Sequence, residues 1–106
     1  MMDYVKIGGT DRPVKFGWNA LRIYTREAKI PFMDIGNLFD SMDLDKLTIL
    51  TYAGLVHGAR TEKKDVDFTL DDVGDWLGED FDVVSKFLEI FTEQMPQPKN
   101  QKAPAK

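Results

Sequence analysis

Residues 44 to 60, LDKLTILTYAGLVHGAR, constrain this chain more than any other stretch. Wound as a helix at 100° per residue, Leu44, Leu47, Ile49, Leu50, Tyr52, Ala53, Leu55, Val56 and Ala59 point all round the axis. A helix that is apolar all round has no face to offer to water, so it must be central and wrapped by the rest of the chain. Asp43 is placed to cap its start. Asp45 at the start and Arg60 at the finish both carry the sign that the helix dipole favours. Thr51, Gly54 and Gly58 share one narrow side. Small residues there let a neighbouring backbone approach closely, and packing inside the domain is the expected use rather than a ligand.

With 106 residues, the wrapping elements must come from one domain, because two would each be too small to bury a core. Residues 3 to 16, DYVKIGGTDRPVKF, predict a β-hairpin. Tyr4, Val5, Ile7, Val14 and Phe16 favour strands. Gly8 and Gly9 can take positive φ, and Pro13, which cannot donate to a ladder, belongs at a strand's start or edge. Such a hairpin is marginal alone and must lie on helices. Residues 18 to 29 predict a first helix with Ala20, Leu21, Tyr24 and Ala28 inward, Trp18 at the margin, and Pro31 stopping it. Arg22, Arg26 and Lys29 fall on its other side. Residues 32 to 41 read as a short helix broken near Gly36.

After a polar loop over 61 to 68, Thr69 and Asp72 predict a capping box, with Asp in place of the usual Glu. The helix it opens turns Leu70, Val73, Trp76 and Leu77 inward and ends at Gly78. Asp71, Asp72, Asp75 and Glu79 form its acidic back. A last helix spans about Asp80 to Met95. Its apolar stripe, Phe81, Val84, Phe87, Leu88, Phe91 and Met95, is widened by Val83 and Ile90 beyond what one packing face requires. The fold class is therefore α+β and mostly α-helical: an N-terminal β-hairpin packed on a bundle of about four to five helices. Residues 1 to 95 form the expected globular domain. Residues 96 to 106, with three Pro, three Lys and almost nothing apolar, are expected to be a disordered basic tail.

Charge is polarised along the chain. Residues 1 to 30 carry six basic and three acidic groups, a net +3; residues 31 to 95 carry five and fifteen, a net −10; the tail adds +3, giving −4 in all. The acidic balance argues against nucleic acid as a partner. The sharpest decoy is TLDDVGDWLGEDFDVVSKFL, residues 69 to 88, whose apolar register is that of a helix-turn-helix. Its would-be recognition helix opens with Glu79, Asp80 and Asp82, which phosphates repel. With no cysteine there is no thiolate nucleophile and no sulfur-based zinc site. His57, the lone histidine, has no nucleophile motif beside it and reads as structural. Neither Asp43 nor Asp65 starts a calcium loop, and no phosphate-binding or dinucleotide motif is present. The expectation is a non-enzyme without cofactor, catalytic residue or metal ligand. No apolar run reaches membrane-spanning length and no signal peptide opens the chain, so no membrane partner and a cytoplasmic location are expected.

Three segments carry a family resemblance: the opening KIGG-TDRPVKFGWNALRIYTREAKI, the central TYAGLVHGAR, and the closing TLDDVGDWLGEDFDVVSKFLEIF. Taken in that order, over roughly residues 4 to 95, the chain resembles the tail assembly chaperones of long-tailed, non-contractile bacteriophages and related prophages, in their short form. The resemblance implies a non-enzymatic helper in the bacterial host's cytoplasm. It implies binding to the tape-measure protein, which is kept soluble until tail tube protein polymerises around it. Many such chaperones are also made in a longer, frameshifted form. The family has no invariant catalytic residues to carry over. The alternative is a small protein-binding adaptor or regulator, and behind it a helix-turn-helix DNA binder.

Two surfaces are the candidates for contact. Trp76, Phe81, Val83, Phe87, Ile90, Phe91 and Met95 are expected to line a client-facing or self-association surface, the latter making a homo-oligomer. Arg22, Arg26 and Lys29 are expected to face Asp71, Asp75 and Glu79, within one chain or between copies, setting orientation more than stability.

Overall fold

Gly8 and Gly9 both take positive φ, 66° and 83°. They form the two-residue turn whose twist suits a hairpin. The turn joins strand β1 (Asp3–Ile7) to β2 (Thr10–Val14), which pair antiparallel with Ile7 opposite Thr10 and Asp3 opposite Val14. Pro13 lies within β2 opposite Tyr4. Antiparallel pairs alternate between hydrogen-bonded and not, and counting from the turn-closing pair Ile7–Thr10 puts Tyr4–Pro13 at a pair without ladder bonds, so the missing N–H leaves no ladder broken. The computed structural model describes residues 2–37 and 42–94. Met95, the expected tail over 96 to 106, and the end of the expected helix over 32 to 41 lie outside the described residues.

Helix α1 (Trp18–Ala28) buries Ala20, Ile23 and Tyr24. It ends two residues ahead of Pro31, where the sequence expects a stop: Lys29 turns left-handed, φ 59°, and its N–H donates to the Thr25 carbonyl. A 3-10 helix follows over Phe32–Asn37 and runs through Gly36, where a break was expected. Helix α2 (Leu44–Thr61) is capped by Asp43, whose carboxylate accepts from the Lys46 backbone N–H at 2.8 Å. Helix α3 (Leu70–Glu79) opens with the expected capping box. The Thr69 hydroxyl accepts from Asp72 N–H, and the Asp72 carboxylate accepts from Thr69 N–H. Gly78 does not end it; the helix continues to Glu79, and Gly78 faces open space. Helix α4 (Asp82–Gln94) closes the described chain. The hairpin and four helices are the α+β, mostly helical arrangement that the sequence predicts.

The core gathers on α2. Ile49, Leu50, Ala53, Leu55, Val56 and Ala59 are buried, and α1, β2 and α3 all pack on this helix. Its first turn escapes the wrapping: Leu44 is 78% exposed. The small-residue side receives the hairpin. The Gly54 carbonyl accepts from Lys15 N–H at 3.1 Å, extending α2 to the chain just after β2. A Cβ on Gly58 would lie 2.2 Å from the Pro13 carbonyl oxygen, and one on Gly54 would lie 2.5 Å from the Phe16 ring. Only glycine lets backbone and ring settle that close. Phe16 in turn meets Phe91 edge-on at 5.2 Å, so the hairpin's exit is locked between α2 and α4. Gln94 completes the joint. Its side-chain oxygen accepts from Phe16 N–H, and its side-chain nitrogen donates to Asp3.

Candidate interaction surface

The expected stripe on α4 divides between core and solvent. Val83, Phe87 and Phe91 are buried and face inward, with Phe87 only 2% exposed, so they are not free to meet a partner. Ile90 is half-buried against the same core. Phe81 alone among the described members is open, 73% exposed, because it lies in the α3–α4 corner just before α4 begins. The stripe is wider than one face because α4 packs on the hairpin as well as on the rest of the core.

Trp76 is also engaged internally. The Arg12 guanidinium stacks over its ring at 4.5 Å and lies 5.3 Å from the Phe68 ring. Arg12 Nε donates to the Ile7 carbonyl, and its Nη1 pairs with Asp67 at 3.2 Å. Beneath the ring lies Gly8, where a Cβ would come within 2.6 Å of the indole carbons. Cation–π attraction, an ion pair and a glycine seat thus hold the hairpin turn to α3. This clamp was invisible in the sequence because its members are far apart along the chain and follow no period.

Of the charged groups expected to face one another, only Lys29 and two of the acids share a cleft, and without an ion pair among the described residues. Lys29, Asp71 and Asp75 line one cleft of about 800 Å³ where α1, α2 and α3 meet. The left-handed backbone at Lys29 takes it off the helical stripe and into that cleft. Arg22 and Arg26 stay on the outward side of α1, and Glu79 lines a different groove beside Gly8 and Trp76. Among the described residues, no ion pair joins Arg22, Arg26 or Lys29 to Asp71, Asp75 or Glu79.

The open apolar surface lies elsewhere, on the outer side of α1. Trp18 is 69% exposed and Phe32 is 54% exposed, and their rings meet at 5.8 Å with a 46° tilt. Leu21, Arg22 and Thr25 complete a groove of about 220 Å³ between them. Met33, next along the chain, is 84% exposed. Arg22 is steadied by donating from Nη1 to Asn19 at 3.0 Å. Arg26 lies one further turn along the same side of the helix. The sequence carried one hint of this site: Trp18 falls at the margin of the inward face. Nothing periodic ties it to Phe32, which an irregular turn brings back across α1.

Beneath the start of α1, His57 packs against Gly17, where a Cβ would meet the imidazole at 3.0 Å. Burial, with the nearby charges of Lys15 and Arg60, holds its pKa below the ordinary value. Its Nδ1 is buried with no hydrogen-bond partner among the described residues. Among those residues, no three of His, Asp and Glu gather closely enough to hold a metal ion, and no helix is long and apolar enough to cross a membrane. Comparison with protein-family models, with curated proteins and with solved structures finds no match for this chain.

Proposed function

We propose that this chain is a phage tail assembly chaperone that binds the tape-measure protein and assists tail tube assembly without catalysing a reaction. The observation that carries the reading, beside the family resemblance of its three segments, is the exposed Trp18–Phe32 pair. Two large aromatic rings left exposed in contact with each other are costly to solvate, and a contiguous apolar patch of this kind supports a docking role. A binding role uses such a patch directly. The acidic surface of α3 would keep a chaperone–client complex soluble.

The test is co-expression with a candidate tape-measure protein. The expected result is a soluble tape-measure protein that co-purifies with the chain. A tape-measure protein that stays insoluble, with the chain itself folded and abundant, overturns the reading in favour of an adaptor for some other protein.

A further inference from the structure

We infer that the α1 groove binds an acidic amphipathic helix, with one large apolar side chain of that helix seated between Trp18 and Phe32 and its carboxylates against Arg22 and Arg26. The inference rests on the chaperone reading for the identity of the client, and on the groove alone for the client's chemistry.

Shape supplies the first argument. The groove is lined by Trp18, Leu21, Thr25, Phe32 and the stem of Arg22, and has room for a single large side chain. Its aromatic rings already touch, so filling it needs little ordering of the protein. Charge supplies the second. Trp18, Arg22 and Arg26 recur every fourth residue, so they form one stripe along the outward side of α1, apolar at its start and cationic after it. A helix laid along this stripe presents its own residues at the same interval. The complementary pattern is therefore an apolar residue followed or preceded by acids four and eight positions away. Helix α1 carries one acid, Glu27, and that residue lines the opposite cleft, so no carboxylate of α1 competes for the arginines; Arg22's partner there is the neutral Asn19. The chain's own last eleven residues carry three Lys and no acid, which excludes them by like charge.

The probe is a synthetic helical peptide of about 20 residues, long enough to hold helix, built on Ala and Gln with one Leu and with Glu four and eight residues on. Its control has Lys in place of both Glu. Binding is followed by calorimetry and by the emission of Trp18 in a Trp76→Phe background. The expected result is a dissociation constant of about 100 µM or tighter for the Glu peptide, with the Lys peptide at least about tenfold weaker. Trp18→Ala, Phe32→Ser and Arg22→Glu should each weaken the Glu peptide about tenfold or more while far-UV circular dichroism stays unchanged. The double variant Arg22→Glu/Arg26→Glu should prefer the Lys peptide.

Equal affinity for both peptides, or no effect of the variants that remain folded, overturns the assignment. So does binding of phosphatidylglycerol vesicles in place of the peptide. A groove already closed by a second copy, revealed by sedimentation that Trp18→Ala shifts to monomer, overturns it as well. Co-expression separates the two readings. If the wild-type chain solubilises the tape-measure protein and Trp18→Ala does so equally well, the groove assignment falls and the chaperone reading stands. If the wild type fails there but binds the Glu peptide as described, the chaperone reading falls and the groove assignment stands.

Discussion

The two tryptophans occupy opposite circumstances. Trp76 is held by Arg12, whose guanidinium stacks over its ring, and packs closely against the bare backbone of Gly8. Trp18 touches Phe32 and otherwise faces water. Hydrophobic patterning turns Trp76 inward, where it does pack against the core, although it is also a candidate for a partner surface; the same patterning puts Trp18 at the margin of the inward face, and there the ring lies in solvent. The difference teaches that a large aromatic is buried by what stands opposite it, and that a helical period reports only one side of that contact. Trp76 has become part of the hairpin's fastening; Trp18 is the one left in solvent.

The comparison can be broken most severely at the seat of the hairpin. Gly58→Ala drives a Cβ into the Pro13 carbonyl, a contact that backbone cannot relieve by a rotamer change. The expected loss is about 3 kcal/mol or more, read from urea denaturation, with Trp76 emission shifting to the red as the hairpin lifts. A loss under about 1 kcal/mol would show that the hairpin is free to slide on α2. Trp76→Ala comes next. The ring is only half-buried, so about 2 to 3 kcal/mol is expected rather than the full cost of a deleted core aromatic. Arg12→Ala removes the cation above that ring and its pair with the exposed Asp67, for about 1 to 2 kcal/mol. Arg12→Lys should restore only part, since an ammonium cannot stack as a planar guanidinium does.

A pH series probes the ground beneath Trp18. His57 has its pKa lowered in the fold, so protonation favours the unfolded chain. Its contribution is fully present above the ordinary histidine value of 6.5 and is lost as pH falls below it. The melting temperature should therefore drop between pH 7.5 and pH 5.5, and His57→Gln should flatten that part of the profile. A wild-type profile that His57→Gln leaves unaltered would remove the residue from the account. The smallest effect sharpens the contrast most. Trp18→Ala should change stability by no more than about 0.5 kcal/mol, because the ring buries little within the chain. In single-tryptophan variants, acrylamide should quench Trp18 strongly and Trp76 weakly. Equal quenching would erase the distinction between them.

Much of the fold is legible along the chain because its signals are local. Asp43 and Thr69 cap helices by hydrogen bonds that span three residues, and both appear as the sequence predicts. Gly8 and Gly9 mark the hairpin turn for an equally local reason, the positive φ it demands. The close approach at Gly54 and Gly58 was readable as a small-residue side, though not what would fill it. The end of α1 at Lys29 was readable from Pro31 two residues on, but its left-handed turn was not, because such a lysine carries no compositional mark; Gly78 carries one and does not use it. The candidate site was the least legible part. Val83, Phe87 and Phe91 match a docking stripe and a core stripe equally well, and only the hairpin packed on α4 decides for the core.

By itself, then, the sequence determined a central helix, the caps and turn that bound its neighbours, and an acidic middle between basic ends. Those follow from interactions within a few residues and from the impossibility of exposing an all-apolar helix. Tertiary structure alone decided which apolar side chains stay in water. Burial depends on the partner across the contact, and here that partner is a glycine, an arginine or a proline carbonyl far away in the chain. Trp76 found such partners, whereas Trp18 found Phe32 and the open side of α1, where its ring stays in solvent.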